Sequence, residues 1–154
     1  MKRILTVSVT LAVSAALLFV APTFKHNAFA LHAGSGCTNA NLSGHYGFAF
    51  SGFQVQHSGS VPFNGAGSAV ADGESPTGHL AATFADSVNG SSSGGINETY
   101  TATYTVNSDC TGLLTATPGS GGDNFAFVIV NGGAEILATD LSAGDTLNLD
   151  FKKQ

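Results

Sequence analysis

The most regular pattern of apolar and polar positions lies in residues 99–106, where the two classes alternate without a break. One side of an extended chain would carry Tyr100, Ala102, Tyr104 and Val106, and the other side would carry four threonines. Alternation with a period of two, carried by aromatic and β-branched residues, predicts a strand with one buried face. Asn107, Ser108 and Asp109 then favour a tight turn, so residues 96–118 are predicted to form a hairpin.

The same alternation recurs along the chain and predicts eight strands. Besides the two strands within 96–118, the predicted strands are 45–53, 61–72, 79–88, 124–130, 135–139 and 146–152. Turns rich in Gly, Asn, Ser and Asp separate them, as in an antiparallel meander. No segment beyond residue 30 has the composition of an amphipathic helix. The predicted fold class is therefore all-β, an eight-stranded antiparallel up-and-down barrel, with an open sandwich as the alternative.

The first 30 residues are predicted to be a cleaved secretory signal. Lys2 and Arg3 precede an uncharged apolar run over residues 4–20, and Ala28 and Ala30 supply the small residues of a cleavage site. An uncleaved membrane anchor is the alternative, because a run of this length lies at the short limit of a bilayer span. The predicted organisation is a signal at 1–30, an N-terminal segment at 31–43 and a barrel domain at 44–154. The predicted location is secreted or periplasmic.

Removal of the signal would leave a strongly acidic chain. Two lysines, Lys152 and Lys153, would face ten carboxylates with no arginine present, which gives a formal charge of −8. Such a chain has nothing with which to neutralise a run of phosphates, so nucleic acid and anionic membrane surfaces are poor candidates as partners, and neither is predicted. The charge instead favours solubility.

The chain has two cysteines, Cys37 and Cys110, which lie 73 residues apart. In an oxidising compartment such a pair is expected to form a disulfide. The start of the first strand and the turn between strands four and five lie at the same end of a meander barrel, on opposite sides of the ring. Residues 37–43 are therefore predicted to cross this opening and close the barrel base. The cysteines lack the histidines of a zinc site and the spacing of a redox pair.

Several stretches resemble a group of small secreted proteins of environmental bacteria. The most specific is Tyr104-Thr105-Val106-Asn107-Ser108-Asp109-Cys110-Thr111-Gly112, and the others are residues 37–48, 63–67 and 127–133. The resemblance implies a calycin-like barrel, similar in outline to lipocalins, allene oxide cyclase and dirigent proteins. It implies no catalytic residues. The chain has no tryptophan and lacks the Gly-x-Trp opening of lipocalins and the ligand-contacting motifs of avidins.

The barrel interior is the candidate site, because aromatic residues occupy many of its inward positions. The residues predicted to line it are Tyr46, Phe48, Phe50, Phe84, Tyr100, Tyr104, Phe125, Phe127 and Phe151. One interpretation is a binding module that admits a small apolar or aromatic ligand at the rim opposite residues 37–43. The other is a structural or surface-interaction barrel whose rings fill the core. Inward glycines and alanines either leave a cavity or make room for the rings.

Enzymatic activity is left open and ranks third. An isomerase of the allene oxide cyclase kind would use Tyr100 or Tyr104, but no carboxylate has clear inward parity in mid-strand.

The acidic loops at 72–74 and 140–145 offer oxygen ligands for calcium, although Asp and Gly are ordinary turn residues, so no metal or cofactor is predicted. Apolar residues on the predicted outer face leave self-association open; they are Leu113, Val128, Val130 and Leu137.

Overall fold

Nine strands make up most of the part of the chain that the computed structural model describes, residues 36–57, 59–92, 98–120 and 122–154. They are β1 (Gly44–Gln56), β2 (Gly59–Ala71), β3 (Gly78–Val88), β4 (Ser91–Ser92), β5 (Glu98–Val106), β6 (Thr111–Ala116), β7 (Phe125–Val130), β8 (Glu135–Asp140) and β9 (Thr146–Lys153). Two single 3-10 turns, Asn39–Leu42 and Asn131–Gly133, precede β1 and β8. The predicted signal lies outside the described residues. Among those residues, no helix is long and apolar enough to cross a bilayer.

Eight of the strands form a closed antiparallel barrel. Each pairs with its neighbour along the chain, β3 pairs with β5, and β1 also pairs with β9, so the ring closes. The two-residue β4 pairs only with the end of β3. The predicted meander barrel is therefore confirmed, and the open sandwich is excluded.

The alternation in the sequence sets which side chains enter the barrel. Successive side chains of a strand point to opposite faces. In β1, Tyr46, Phe48 and Phe50 are buried, whereas His45 before them and Ala49 between Phe48 and Phe50 are exposed. The same parity runs through the other strands and produces a single interior core of apolar residues. Leu113 and Leu137 lie on the outer face and are about half exposed.

The hairpin of β1 and β2 is longer than the sequence predicts. The prediction ended the first strand at residue 53 and began the second at residue 61, because the Gln, His, Ser and Gly residues between them are typical of loops. In the structure the ladder continues to the pair Gln56 and Gly59. The Val55 amide also donates to the Asp145 carboxylate at 2.9 Å, which supports the extended hairpin from the loop before β9.

The barrel has two different ends. The turns after β2, β5 and β7, the C-terminus and residues 37–43 lie at one end, which we call the closed end. The turns after β1, β6 and β8, the end of β3 and the start of β5 lie at the other end, which we call the open end.

Residues 37–43, the closing segment, cover the closed end. A disulfide joins Cys37 to Cys110 in the turn after β5, with their Cα atoms 4.9 Å apart, as predicted. Leu42 is only 2% exposed and belongs to the core. The carbonyl of Asn41 packs against Gly133 in the turn after β7. The segment therefore reaches turns on different sides of the ring.

Inward glycines make room for aromatic rings. A Cβ atom on Gly65 would overlap the ring of Phe50, and one on Gly112 would overlap the ring of Phe127. These small residues therefore interdigitate with large ones, as close packing requires. They do not themselves create a void.

Candidate functional site

The interior differs between the two ends of the barrel. Towards the closed end it is packed, and the void found there has a volume of about 10 Å³, lined by residues such as Leu42, Phe127 and Ile136. Such a void holds one water molecule at most. Towards the open end lies a cavity of about 290 Å³, which we call the open-end cavity.

The open-end cavity has an apolar wall. Its apolar lining residues are Phe48, Phe50, Phe63, Leu80, Ala82, Phe84, Leu114, Phe125, Leu147, Leu149 and Phe151. An engineered apolar cavity of about 150 Å³ is enough to bind benzene. The open-end cavity is nearly twice that size, so it has room for a bicyclic aromatic group.

The aromatic side chains of the wall contact one another and hold its shape. The rings of Phe48 and Phe151 are stacked with centroids 5.0 Å apart. Phe50 meets Phe84 edge to face at 5.7 Å and Phe63 at 5.1 Å. Edge-to-face and offset contacts of this kind stabilise aromatic clusters beyond simple burial. The wall is therefore a preformed surface.

Six of the nine aromatic residues predicted to line the lumen border the open-end cavity. They are Phe48, Phe50, Phe84, Tyr100, Phe125 and Phe151. The other three predicted residues, Tyr46, Tyr104 and Phe127, lie deeper, towards the closed end.

Those three residues belong to the packed half, which departs from the expectation that they line a ligand site. The Tyr46 hydroxyl donates to the Gly133 carbonyl at 3.1 Å, and burial raises the pKa of Tyr46. The Tyr104 hydroxyl accepts from the Gly73 amide at 2.8 Å, and burial raises its pKa to about 12. Phe127 lines the small void. Inward parity alone does not tell how deep along the barrel axis a residue lies.

Tyr100 is the predicted residue that brings a polar group to the open-end cavity. Its ring meets Phe125 edge to face at 6.2 Å, and its hydroxyl donates to the Asp123 main-chain carbonyl at 2.8 Å. Burial, together with the negative charges of Asp123 and Asp140, raises the pKa of Tyr100 strongly. The hydroxyl therefore keeps its proton at neutral pH and acts as a hydrogen-bond donor.

Three carboxylates, Asp86, Glu98 and Asp123, also line the open-end cavity, together with Gln54, Thr99 and Ser120. The sequence predicts no carboxylate with clear inward parity in mid-strand, and these three lie at strand ends or in a loop. Asp86 follows Phe84 by two residues in β3, and Glu98 precedes Tyr100 by two in β5, so both share the inward parity. Extending the alternation of inward and outward positions to the ends of the strands would have identified Asp86 and Glu98 in the sequence. Asp123 lies in the loop before β7, where alternation predicts nothing.

Asp123 belongs to a group of carboxylates at the rim. Oxygen atoms of Asp123, Asp140 and Asp145 lie within 4.8 Å of one another. Asp140 accepts from the Ser142 amide at 2.7 Å, so part of the group shapes the loop after β8. Burial raises the pKa of Asp123, and the charges of Asp140 and Asp145 add to this effect. The local field at the rim is therefore negative.

A second cluster, formed by Asp72, Glu74 and His79, lies at the closed end and is explained by the turn after β2. Asp72 accepts from the amides of Glu74 at 3.0 Å and His79 at 2.9 Å, and its other oxygen lies 2.9 Å from His79 Nδ1. These hydrogen bonds to backbone amides lower the pKa of Asp72 to about 2. The carboxylate thus stabilises the turn.

The two lysines of the barrel lie towards one of its two ends. Lys152 lies 3.8 Å from Glu135 and 3.4 Å from Asp150, and Lys153 lies over the ring of Tyr46, so both lysines are on the closed-end side. The open end carries five carboxylates: Asp86, Glu98, Asp123, Asp140 and Asp145. Between residues 26 and 154 the chain has no other lysine and no arginine.

Comparison of the chain with family models, with curated proteins and with solved structures finds no match. The interpretation of the site therefore rests on its geometry.

Proposed function

We propose that the protein is a small secreted or periplasmic barrel that binds a small apolar or aromatic ligand in the open-end cavity. The observation that carries the proposal is the cavity itself, about 290 Å³ in volume with an apolar wall. Ligand sites are typically concave and mostly apolar, with a few polar groups that orient the ligand. Tyr100, Gln54 and the rim carboxylates would supply those polar groups.

The closed end supports this proposal, because it leaves the barrel interior accessible from one end alone. The closing segment and the packed rings of the closed-end half form a rigid bottom to the cavity. The filled-core interpretation describes the closed-end half well. It does not account for the open-end cavity, since a purely structural barrel needs no void in its interior.

The disulfide supports an extracytoplasmic location. Disulfides persist in oxidising compartments and are rare in the reducing cytosol. The confirmed contact between Cys37 and Cys110 therefore agrees with the predicted secretory signal, which remains a prediction. We likewise propose that the barrel is calycin-like. Lipocalins bind ligands in the barrel lumen, which would agree with a ligand site in the open-end cavity.

A filled cavity tests the proposal. Ala82 lines the cavity and is 7% exposed, whereas the adjacent Ala81 points outward and is exposed. We expect Ala82→Phe to abolish binding of 1-naphthylmethanol, measured by isothermal titration calorimetry, while Ala81→Phe leaves it unchanged. Thermal unfolding of both variants shows whether they fold, and Leu147→Trp provides a second filled cavity.

Two results would refute the proposal. One is the absence of measurable binding of the alcohol by the native protein. The other is equal binding by the native protein and by a folded variant with a filled cavity.

A further inference from the structure

We infer that the ligand of the open-end cavity is an organic cation, an apolar or aromatic molecule that carries an amine or a similar positively charged group. This inference rests on the proposed function and specifies its ligand class. The feature that carries it is the pairing of an apolar wall with carboxylates on the same cavity surface.

The carboxylates are part of the cavity. Asp86, Glu98 and Asp123 line it in common with the aromatic rings, so a bound molecule of suitable length would contact both. Asp86 and Glu98 project inward from β3 and β5, which are neighbouring strands that pair Phe84 with Glu98. The Asp123 carbonyl and the Tyr100 hydroxyl complete the polar side.

Within residues 36–154 as the structure describes them, no lysine or arginine lies at this end. Lys152 and Lys153 lie at the closed end, where they contact Glu135 and the Tyr46 ring. Of the three histidines that the structure describes, His57 lies at the open end, on the exposed turn after β1. A cleft of one charge sign with low-dielectric walls concentrates counter-ions of the opposite sign.

The aromatic wall favours the same class of ligand. The faces of Phe and Tyr rings attract cations, and this attraction grows when water is excluded. An anionic ligand would instead meet carboxylates of like charge, which act as a repulsive element against it. A neutral apolar molecule would gain the wall contacts alone.

Binding of a cation should also change the titration of Asp123 at the rim. Desolvation raises the pKa of Asp123, and the charges of Asp140 and Asp145 add to it. The positive charge of a cation bound beside this group would favour the ionised carboxylate and lower the pKa of Asp123. The amine should therefore bind more tightly as the pH rises through the titration of this carboxylate.

Three probes of one shape test the inference: 1-naphthylmethylamine, 1-naphthylmethanol and 1-naphthaleneacetate. Binding to the full chain, expressed with secretion into the periplasm, is measured by calorimetry in EDTA at low ionic strength. We expect the amine to bind at least about tenfold more tightly than the alcohol, and the acetate to bind most weakly. The preference should shrink with added salt, because charges near the surface are screened.

Substitution of Asp86 and Glu98, which we call the mouth carboxylates, tests whether they cause the preference for the amine. Asp86→Asn and Glu98→Gln together should reduce the amine preference several-fold and leave the affinity for the alcohol unchanged. Glu74→Gln changes the net charge at the closed end and serves as the matched control, with no effect on the preference.

The outcomes separate the two proposals. Equal or weaker binding of the amine than of the alcohol would overturn the inference and leave the proposed function standing. The same holds if Glu74→Gln lowers the preference as much as the mouth substitutions do. Failure of all three probes to bind would overturn both.

Discussion

Asn39 in the closing segment is the residue whose loss should most weaken the closed end. It is a buried polar residue, only 5% exposed. Its Nδ2 donates to the carbonyls of Glu74 at 2.6 Å and Pro76 at 3.2 Å, and its Oδ1 accepts from the Val106 amide at 2.8 Å. One side chain therefore connects the closing segment to the turn after β2 and to the end of β5.

The expected effect of Asn39→Ala follows from these three hydrogen bonds. Each contributes about 0.5–1.5 kcal/mol net, and a buried partner left unsatisfied adds a desolvation penalty. Three bonds to backbone groups at a part-buried site therefore predict a loss of about 3 kcal/mol in the free energy of unfolding. This is a large share of the about 5–15 kcal/mol typical of a domain.

Urea denaturation followed by far-ultraviolet circular dichroism measures this loss with the disulfide intact. Asn107→Ala is the matched control, because Asn107 is exposed in the turn after β5 and its side chain donates one bond, to Thr111 Oγ1 at 3.0 Å. The control should cost less than about 1 kcal/mol. If Asn39→Ala costs no more than Asn107→Ala, the closing segment is not held by this side chain.

Three further predictions concern the closing segment and the interior. Replacement of both cysteines, Cys37→Ser with Cys110→Ser, should reduce the unfolding free energy by about 4 kcal/mol from the entropy of a 73-residue loop; a loss below about 1 kcal/mol in urea titrations would contradict this. Gly112→Ala places a Cβ against the Phe127 ring and the Thr105 carbonyl and should cost about 1–3 kcal/mol by overpacking, and an unchanged melting temperature would show that ring and backbone both shift at little cost. Because the pKa of Asp72 falls from its ordinary 3.8 to about 2 on folding, its stabilisation is present above pH 4 and is lost as pH falls through about 2. Asp72→Asn should flatten this part of the stability profile, and a native-like decline in that variant would assign the acid sensitivity to another group.

The fold could be predicted from the sequence because its signals are local. Alternation of side chains marks the strands, and turn residues mark their ends. Two cysteines at the same end of a meander then determine the disulfide. These signals failed where strand composition resembles a loop, as in the continuation of β1 to Gln56 and in the two-residue β4.

The site was harder to predict because it depends on depth along the barrel axis. Tyr104 and Tyr100 share one face of β5, yet Tyr104 is held in the packed floor and Tyr100 borders the cavity. Which residues lie deep follows from the stagger of neighbouring strands, and alternation does not report that stagger. Asp123 reaches the cavity from a loop, where alternation gives no signal. Asn39 is buried by hydrogen bonds to Glu74, Pro76 and Val106, which are distant from it in the sequence.

The central claim is that the open half of the barrel binds a ligand while the closed half does not. A titration with 1-naphthylmethylamine, followed by methyl chemical shifts in two-dimensional nuclear magnetic resonance spectra, tests it directly. We predict shifts for the methyl groups of Ala82, Leu147 and Leu149, with those of Leu42 and Ile136 unchanged. Shifts confined to the outer residues Leu113 and Leu137, or no shifts at all, would contradict the account.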